Sequence, residues 1–318
     1  MDPPAGAGVD AMKLAAKAHS IQDSLRLLRL ARHSRNFVAI PMGELALPAR
    51  ILCLREGSAL SYAPVAAATA SGQVSLDELK YLYRAHQLTR RTRVYGVIGE
   101  PVSHSLSPAL HNTGFIARHV DAVYLPFLVH DLRDFLAAVR EFGVRGFSVT
   151  HPHKRTILKY LKECDPLAAE IGAVNTVVVR RDGSLIGSNT DYIGVLRALE
   201  KKLRIRGSRV LILGAGGAAR AAAFALVRSG AAVAICARRE KAARELARAF
   251  GGEVVPRAAL RRESFDAILN ATPVGMHPHD GVSPLAPSEL HCRLVMDLIT
   301  RPHKTQLLKI AARKGIAT

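Results

Sequence analysis

Between Val210 and Arg228 an apolar run, a glycine turn and an alanine-rich helical pattern follow one another without a break, the turn reading GAGGAAR from Gly214 to Arg220. Few folds accept that order. A buried strand that turns on glycines straight into a helix leaves the first helical amides facing the turn, where they suit a phosphate. Gly214 permits the tight turn, Gly216 lets backbone approach a pyrophosphate, and small Ala219 lets helix pack on strand. Gly214, Ala215, Gly216, Gly217, Ala218 and Ala219 are therefore the expected cofactor-binding turn of a dinucleotide site.

A second apolar strand, Ala232 to Cys236, follows the helix stop at Gly230. An acidic residue just beyond such a strand would grip an unphosphorylated ribose. This chain has Ala237, Arg238 and Arg239 there. Planar multi-donor cations match phosphate oxygens, so Arg238 and Arg239 favour a 2′-phosphate and hence NADP over NAD. The plainer alternative is that both arginines open the solvated face of the next helix, whose sequence EKAARELARAF is amphipathic.

At 318 residues and 49% hydrophobic, the chain can bury cores for two or three domains. No apolar run approaches the roughly 20 residues that cross a bilayer, and the opening MDPPAGAGVDAMK has no basic-then-apolar leader, so a cytoplasmic protein without a membrane partner is expected. Cys53, Cys164, Cys236 and Cys292 are widely spaced and suggest neither a disulfide framework nor a zinc knuckle. The formal charge of +19 would raise nucleic-acid binding, but the arginines are scattered through amphipathic helices and aromatic content is only 5%. We read that charge as a solvated surface that attracts anionic small molecules, with no nucleic-acid partner.

The chain divides by pattern into residues 1–91, a mixed segment 92–197, a nucleotide-binding segment 198–297, and a final helix in 298–318 expected to rejoin the mixed segment. Val94 to Ile98, Val123 to Phe127, Gly146 to Val149 and Thr176 to Val179 read as short strands separated by helices, the signature of an open parallel α/β sheet. Arg181-Asp182-Gly183 reads as a hairpin turn that would set one antiparallel pair into it.

Three polar clusters sit where loops should leave those strands: SHSLSP at Ser103 to Pro108, SVTHPHK at Ser148 to Lys154, and GAVNT with SNTDYIG between Gly172 and Gly194. Taken singly, Ser107 and Asp191 could be helix caps, Asn175 a turn residue and Lys154 a solvated lysine. Taken together, ahead of the glycine turn, they resemble the shikimate dehydrogenases from about Arg93 onward. The resemblance implies a two-domain α/β enzyme, with an open-sheet substrate domain and a Rossmann domain, that reduces 3-dehydroshikimate to shikimate with NADP. It also implies that Ser105 and Ser107 hold the substrate carboxylate, that Thr150, Asn175 and Asp191 bond the ring hydroxyls, and that Lys154 and Asp191 form the catalytic pair. Asn270, Thr272 and Met276, in NATPVGM, would lie against the nicotinamide side. His151 with His153 and His277 with His279 raise a metal site, but no carboxylate or cysteine completes either pair, so no metal is expected.

The sequence departs from that family at His151, where an aliphatic residue is usual, and at Thr300, where a tyrosine is usual. A segment that normally follows the last helix is also missing after Thr318. The first ninety residues carry a second resemblance. Asp10 to Ala15, Met42-Gly43-Glu44, Arg50, Gly57-Ser58 and Gly72-Gln73 are similar to the C-terminal half of type I 3-dehydroquinate dehydratase. By that likeness Lys13 matches the Schiff-base lysine and Arg50 and Gln73 the substrate contacts, as vestigial dehydratase residues. Ninety residues cannot close a (β/α)8 barrel, which takes about 250. A partial barrel with open edges and no dehydratase turnover is expected. Three alternatives stay open: a quinate/shikimate dehydrogenase of broader specificity that uses NAD, a lyase completed by a separate polypeptide, and a non-catalytic remnant.

Overall fold

In the computed structural model the described residues are 11–34, 36–64, 72–103 and 105–318. The chain forms two compact units, one running to Glu163 and taking in Thr176–Ile186, the other made of Cys164–Asn175 and Gly187–Thr318.

The first unit opens with β1 (Met12–Lys17), α1 (Ile21–His33), β2 (Phe37–Met42) and α2 (Leu47–Glu56). Helix α1 starts on a capping box in which Ser20 and Asp23 satisfy each other's backbone amides. Strands β1 and β2 pair in parallel from Met12 opposite Phe37 to Lys17 opposite Met42, which gives two β/α repeats of the expected partial barrel.

Then come β3 (Arg93–Gly99), α3 (Ser107–Ala117), β4 (Ala122–Leu128), α4 (Leu132–Phe142), β5 (Val144–Val149), β6 (Glu163–Cys164), α5 (Pro166–Ile171), β7 (Thr176–Val179) and β8 (Leu185–Ser188), of which α5 belongs to the second unit. The sheet order is β4-β3-β5-β7-β8-β6. Strands β4, β3 and β5 run parallel and β7 antiparallel to β5, so the strand before Arg181-Asp182-Gly183 enters the sheet in the reversed sense.

Within this unit the first repeats are joined to the sheet rather than strung beside it. Helix α1 packs on α4, and α2 on β4. Arg29 forks onto Glu141 through Nε and Nη2 at 2.5 and 2.6 Å. Arg55 donates to the Thr92 carbonyl at 2.9 Å and Arg84 to the Ala122 carbonyl at 2.9 Å. Buried Glu56 receives Arg32 and Arg55 together. Beneath α4, fully buried Phe135 packs edge-on against Phe127 and Phe147 at centroid distances of 5.3 and 5.2 Å. Phe135→Ala is expected to cost about 3–5 kcal/mol through the cavity it leaves, measured by denaturant unfolding. A loss well under 1 kcal/mol would mean that the site collapses.

The second unit continues with α6 (Asp191–Glu200), β9 (Arg209–Leu213), α7 (Gly217–Arg228), β10 (Ala232–Cys236), α8 (Glu240–Phe250), β11 (Glu253–Val254), β12 (Phe265–Asn270), β13 (Cys292–Asp297) and α9 (Gln306–Arg313). Its sheet is parallel throughout, in the order β11-β10-β9-β12-β13, with an apolar core on each face. One expectation needs correcting. The closing helix, assigned with 298–318 to the substrate segment, packs instead on this sheet: Leu307 and Ala311 are fully buried beside Leu211, Ile268 and Val295, and Val295 donates its N–H to the Ala317 carbonyl. An apolar helix stripe takes a sheet face that the short connection from β13 can reach.

Candidate functional site

The glycine turn lies between β9 and α7, and its geometry follows from residue type. Gly214 has φ +106°, a conformation side chains resist, and a Cβ on it would sit 3.1 Å from both the Ala271 carbonyl oxygen and Thr272 Cγ2. Gly216 caps α7 without a side chain over the first amides, and a Cβ there would meet nothing within 4 Å. Ala219 is fully buried against the sheet. An open concave turn with uncrowded helix amides fits a pyrophosphate. Ala215, Gly217 and Ala218 complete it, half-buried. At the end of β10, Arg238 and Arg239 stand exposed, Arg239 as the residue before α8.

On the other side of β9 lies the loop after β12. Here the side chain of Asn270 is fully buried and bonded to protein. Its Oδ1 accepts the Thr272 N–H at 3.0 Å and the Thr272 hydroxyl at 2.7 Å, while Nδ2 donates to the Val274 carbonyl at 3.3 Å and to Asp297 Oδ1 at 3.0 Å. It shapes the loop from within. Thr272 and Met276 are half-buried on that loop.

Also in the second unit, Asn175 donates through Nδ2 to Thr190 Oγ1 at 2.9 Å and to Asp191 Oδ1 at 2.8 Å, and accepts the Thr190 N–H at 3.0 Å. Asn189, missed by sequence reasoning, is buried; it accepts the Asp191 N–H at 2.9 Å and donates to the Ala173 carbonyl at 2.8 Å. Asp191 therefore begins α6 with its backbone and carboxylate fixed by two asparagines. The missed Arg220 holds the preceding segment by donating to the Ile171 carbonyl.

The remaining candidates belong to the first unit. Ser105 accepts the Ser107 N–H at 3.2 Å where α3 begins, and the cap position itself is Leu106. Thr150 follows β5, its N–H on the Ile98 carbonyl at 3.0 Å, and Lys154 lies half-buried in the next turn. A Cβ on Gly99 would sit 2.4 Å from Thr150 Cγ2, so a glycine at the end of β3 makes room for that threonine. His153 is buried with Nε2 2.7 Å from the Val129 carbonyl oxygen.

A separate cavity of about 210 Å³ is lined by Lys13, Ala15, Ile40, Met42, Arg50, Tyr62 and Gln73. Strand alternation explains it: Lys13 and Ala15, two apart on β1, share a face with Ile40 and Met42 on β2. Gly72 has φ +73° and passes so near Gly43 that a Cβ would lie 2.2 Å from its carbonyl oxygen, which is how Gln73 reaches the cavity. Arg50 is 3% exposed, donates to the Tyr62 carbonyl at 3.0 Å and keeps a buried Nε without a partner among the described residues. Burial pulls its pKa down from the ordinary value. Lys13 Nζ stands 5.0 Å from the Tyr62 ring centroid.

A parallel sheet with a glycine turn at its central strand, cores on both faces and arginines beyond the neighbouring strand defines a dinucleotide-binding α/β protein. Comparison with known proteins then narrows the class. Residues 97–177 match the model for the shikimate dehydrogenase substrate binding domain, 197–274 that for shikimate / quinate 5-dehydrogenase, and 4–90 that for type I 3-dehydroquinase. The shikimate dehydrogenase (NADP(+)) of Methanothermobacter thermautotrophicus is 43% identical over 71% of this chain and 84% of its own length. The chloroplastic bifunctional 3-dehydroquinate dehydratase/shikimate dehydrogenase of Arabidopsis thaliana is 37% identical over 98% of this chain, which spans 55% of that relative. A Thermus thermophilus shikimate 5-dehydrogenase, solved in complex with NADP(H) and shikimate, superposes with a TM-score of 0.63 at 36% identity, covering 71% of this chain and 85% of that one. The chain belongs to the shikimate dehydrogenase family, and its first ninety residues match the type I dehydroquinase model. Among the described residues no helix is long and apolar enough to cross a membrane.

Proposed function

We propose that this protein reduces 3-dehydroshikimate to shikimate with NADP as coenzyme, in the cytoplasm. The observation that carries the reading is Asp191, locked by Asn175 and Asn189 at the start of the helix that leads into the glycine-turn strand. Bound NADPH supplies a hydride to the ketone carbon. The carbonyl oxygen then carries the electron pair released from the C=O bond and needs a proton. Lys154 is the donor in this reading, its ammonium stabilising the growing charge and then giving up a proton to that oxygen. Asp191 orients the ammonium and accepts a hydrogen bond from the substrate, with Asn175 and Thr150 on neighbouring hydroxyls and Ser105 and Ser107 on the carboxylate. Arg238 and Arg239 hold the 2′-phosphate.

Purified protein given shikimate and NADP is expected to accumulate NADPH absorbance, faster than with NAD or with quinate. No growth at saturating shikimate would remove the reading, and a preference for quinate with NAD would replace it with the broader-specificity one. A second reading applies to residues 1–91 alone. Lys13, Arg50 and Gln73 line one cavity, which favours a site for the carboxylate and hydroxyls of dehydroquinate.

A further inference from the structure

We propose that Asp297, anchored by Thr305, is a positioning residue for hydride transfer, holding the loop from Asn270 to Met276 in the shape that receives the nicotinamide half of the coenzyme. The inference rests on the dehydrogenase reading above and adds to it a residue at the end of β13.

The sheet order decides which half of a dinucleotide lies where. The pyrophosphate belongs at the turn after central β9, and the arginines that suit a 2′-phosphate stand at the end of β10 on one side. The other half of the molecule must then extend over β12, whose following loop begins at Asn270. That loop adjoins the turn directly: Ala271 donates to the Leu213 carbonyl at 2.9 Å, and Gly214 lies against Ala271 and Thr272.

Short loops of this composition have no regular ladder to fix them, so a buried polar side chain must do it. Asn270 ties Thr272 and Val274, and Asp297 ties Asn270. The Asp297 carboxylate accepts three bonds, from Asn270 Nδ2 at 3.0 Å, the Ile299 N–H at 3.0 Å and the Thr305 hydroxyl at 2.7 Å. Thr305 is fully buried, and its oxygen also accepts the Leu308 N–H as the cap of α9. Burial pushes the Asp297 carboxyl above its ordinary pKa, against the pull of those three donors. A carboxylate kept half-buried against that opposition, at the end of a strand, is tied to the loop it organises.

The test compares wild type, Asp297→Ala, Asp297→Asn and Thr305→Val by kcat with shikimate and NADP, by melting temperature, and by affinity for adenosine 2′,5′-bisphosphate, which carries only the adenosine half. Asp297→Ala is expected to lower kcat at least tenfold while the bisphosphate binds within about twofold of wild type. Asn keeps the shape, with Oδ1 still accepting from Asn270 and Ile299, and is expected to restore kcat to within about threefold of wild type. Should Asp297→Ala fail to fold, Thr305→Val is expected to give the same split, a lower kcat with unchanged bisphosphate binding. A folded Asp297→Ala at the wild-type rate, or a parallel loss of kcat and bisphosphate affinity, would overturn the proposal and leave the dehydrogenase reading standing. A wild-type protein that neither binds the bisphosphate nor oxidises shikimate would overturn both.

Discussion

Lys154→Ala is expected to lower kcat for shikimate oxidation by roughly 10²–10⁴, the usual contribution of a positioned proton donor. NADP affinity, read by quenching or calorimetry, should stay close to wild type. The separation follows from the fold, since Lys154 follows β5 in the first unit while the glycine turn and Arg238 belong to the second. A ketone that receives hydride without a nearby ammonium must leave its negative charge to water, and the barrier rises accordingly. A variant that turns over at the original rate would take the lysine out of the chemistry. One that loses coenzyme binding in step with turnover would point to misfolding.

Arg238→Asp addresses the other end of the coenzyme. A guanidinium on a phosphate is a charge-assisted pair, and breaking it costs about 1.5–3 kcal/mol, or roughly ten- to a hundredfold in kcat/KM for NADP. The new carboxylate adds repulsion toward the 2′-phosphate while offering an acceptor to a bare ribose hydroxyl. NAD-linked turnover is therefore expected to fall much less, and the NADP/NAD ratio to drop by at least tenfold. Equal losses with both coenzymes would mean that Arg238 only decorates the surface of α8.

What the sequence disclosed was local. The apolar run, glycines and alanines around Gly214 declare strand, turn and helix because each obeys a short-range rule, and all three form. The strands at Val94, Val123, Gly146 and Thr176 declared themselves in the same way. The function of Asn270 was hidden because Asn, Thr and Pro in a row read as turn formers, and the partner that changes its meaning, Asp297, lies a whole crossover away. The stripe of α9 was legible, but its destination was set by Leu307 and Ala311 meeting a sheet face that no periodicity names. Asn189 escaped notice beside Asp191 for a similar reason, since only the fold shows that it bridges to Ala173. Lys13, Arg50 and Gln73 were found by likeness, and the alternation of β1 and β2 explains why they share a cavity.

The Arg29–Glu141 fork and the Arg55 and Arg84 bonds to the Thr92 and Ala122 carbonyls change how the border near residue 91 is to be understood. Family likeness puts a seam there, whereas mechanics does not, because α1 and α2 serve as a splint on α4 and β4. Anyone trimming the gene at that seam to isolate residues 92–318 would peel off a supporting wall, exposing the outer flank of α4 and β4 to water. A segment built in the likeness of one enzyme family thus serves as masonry for the sheet beside it.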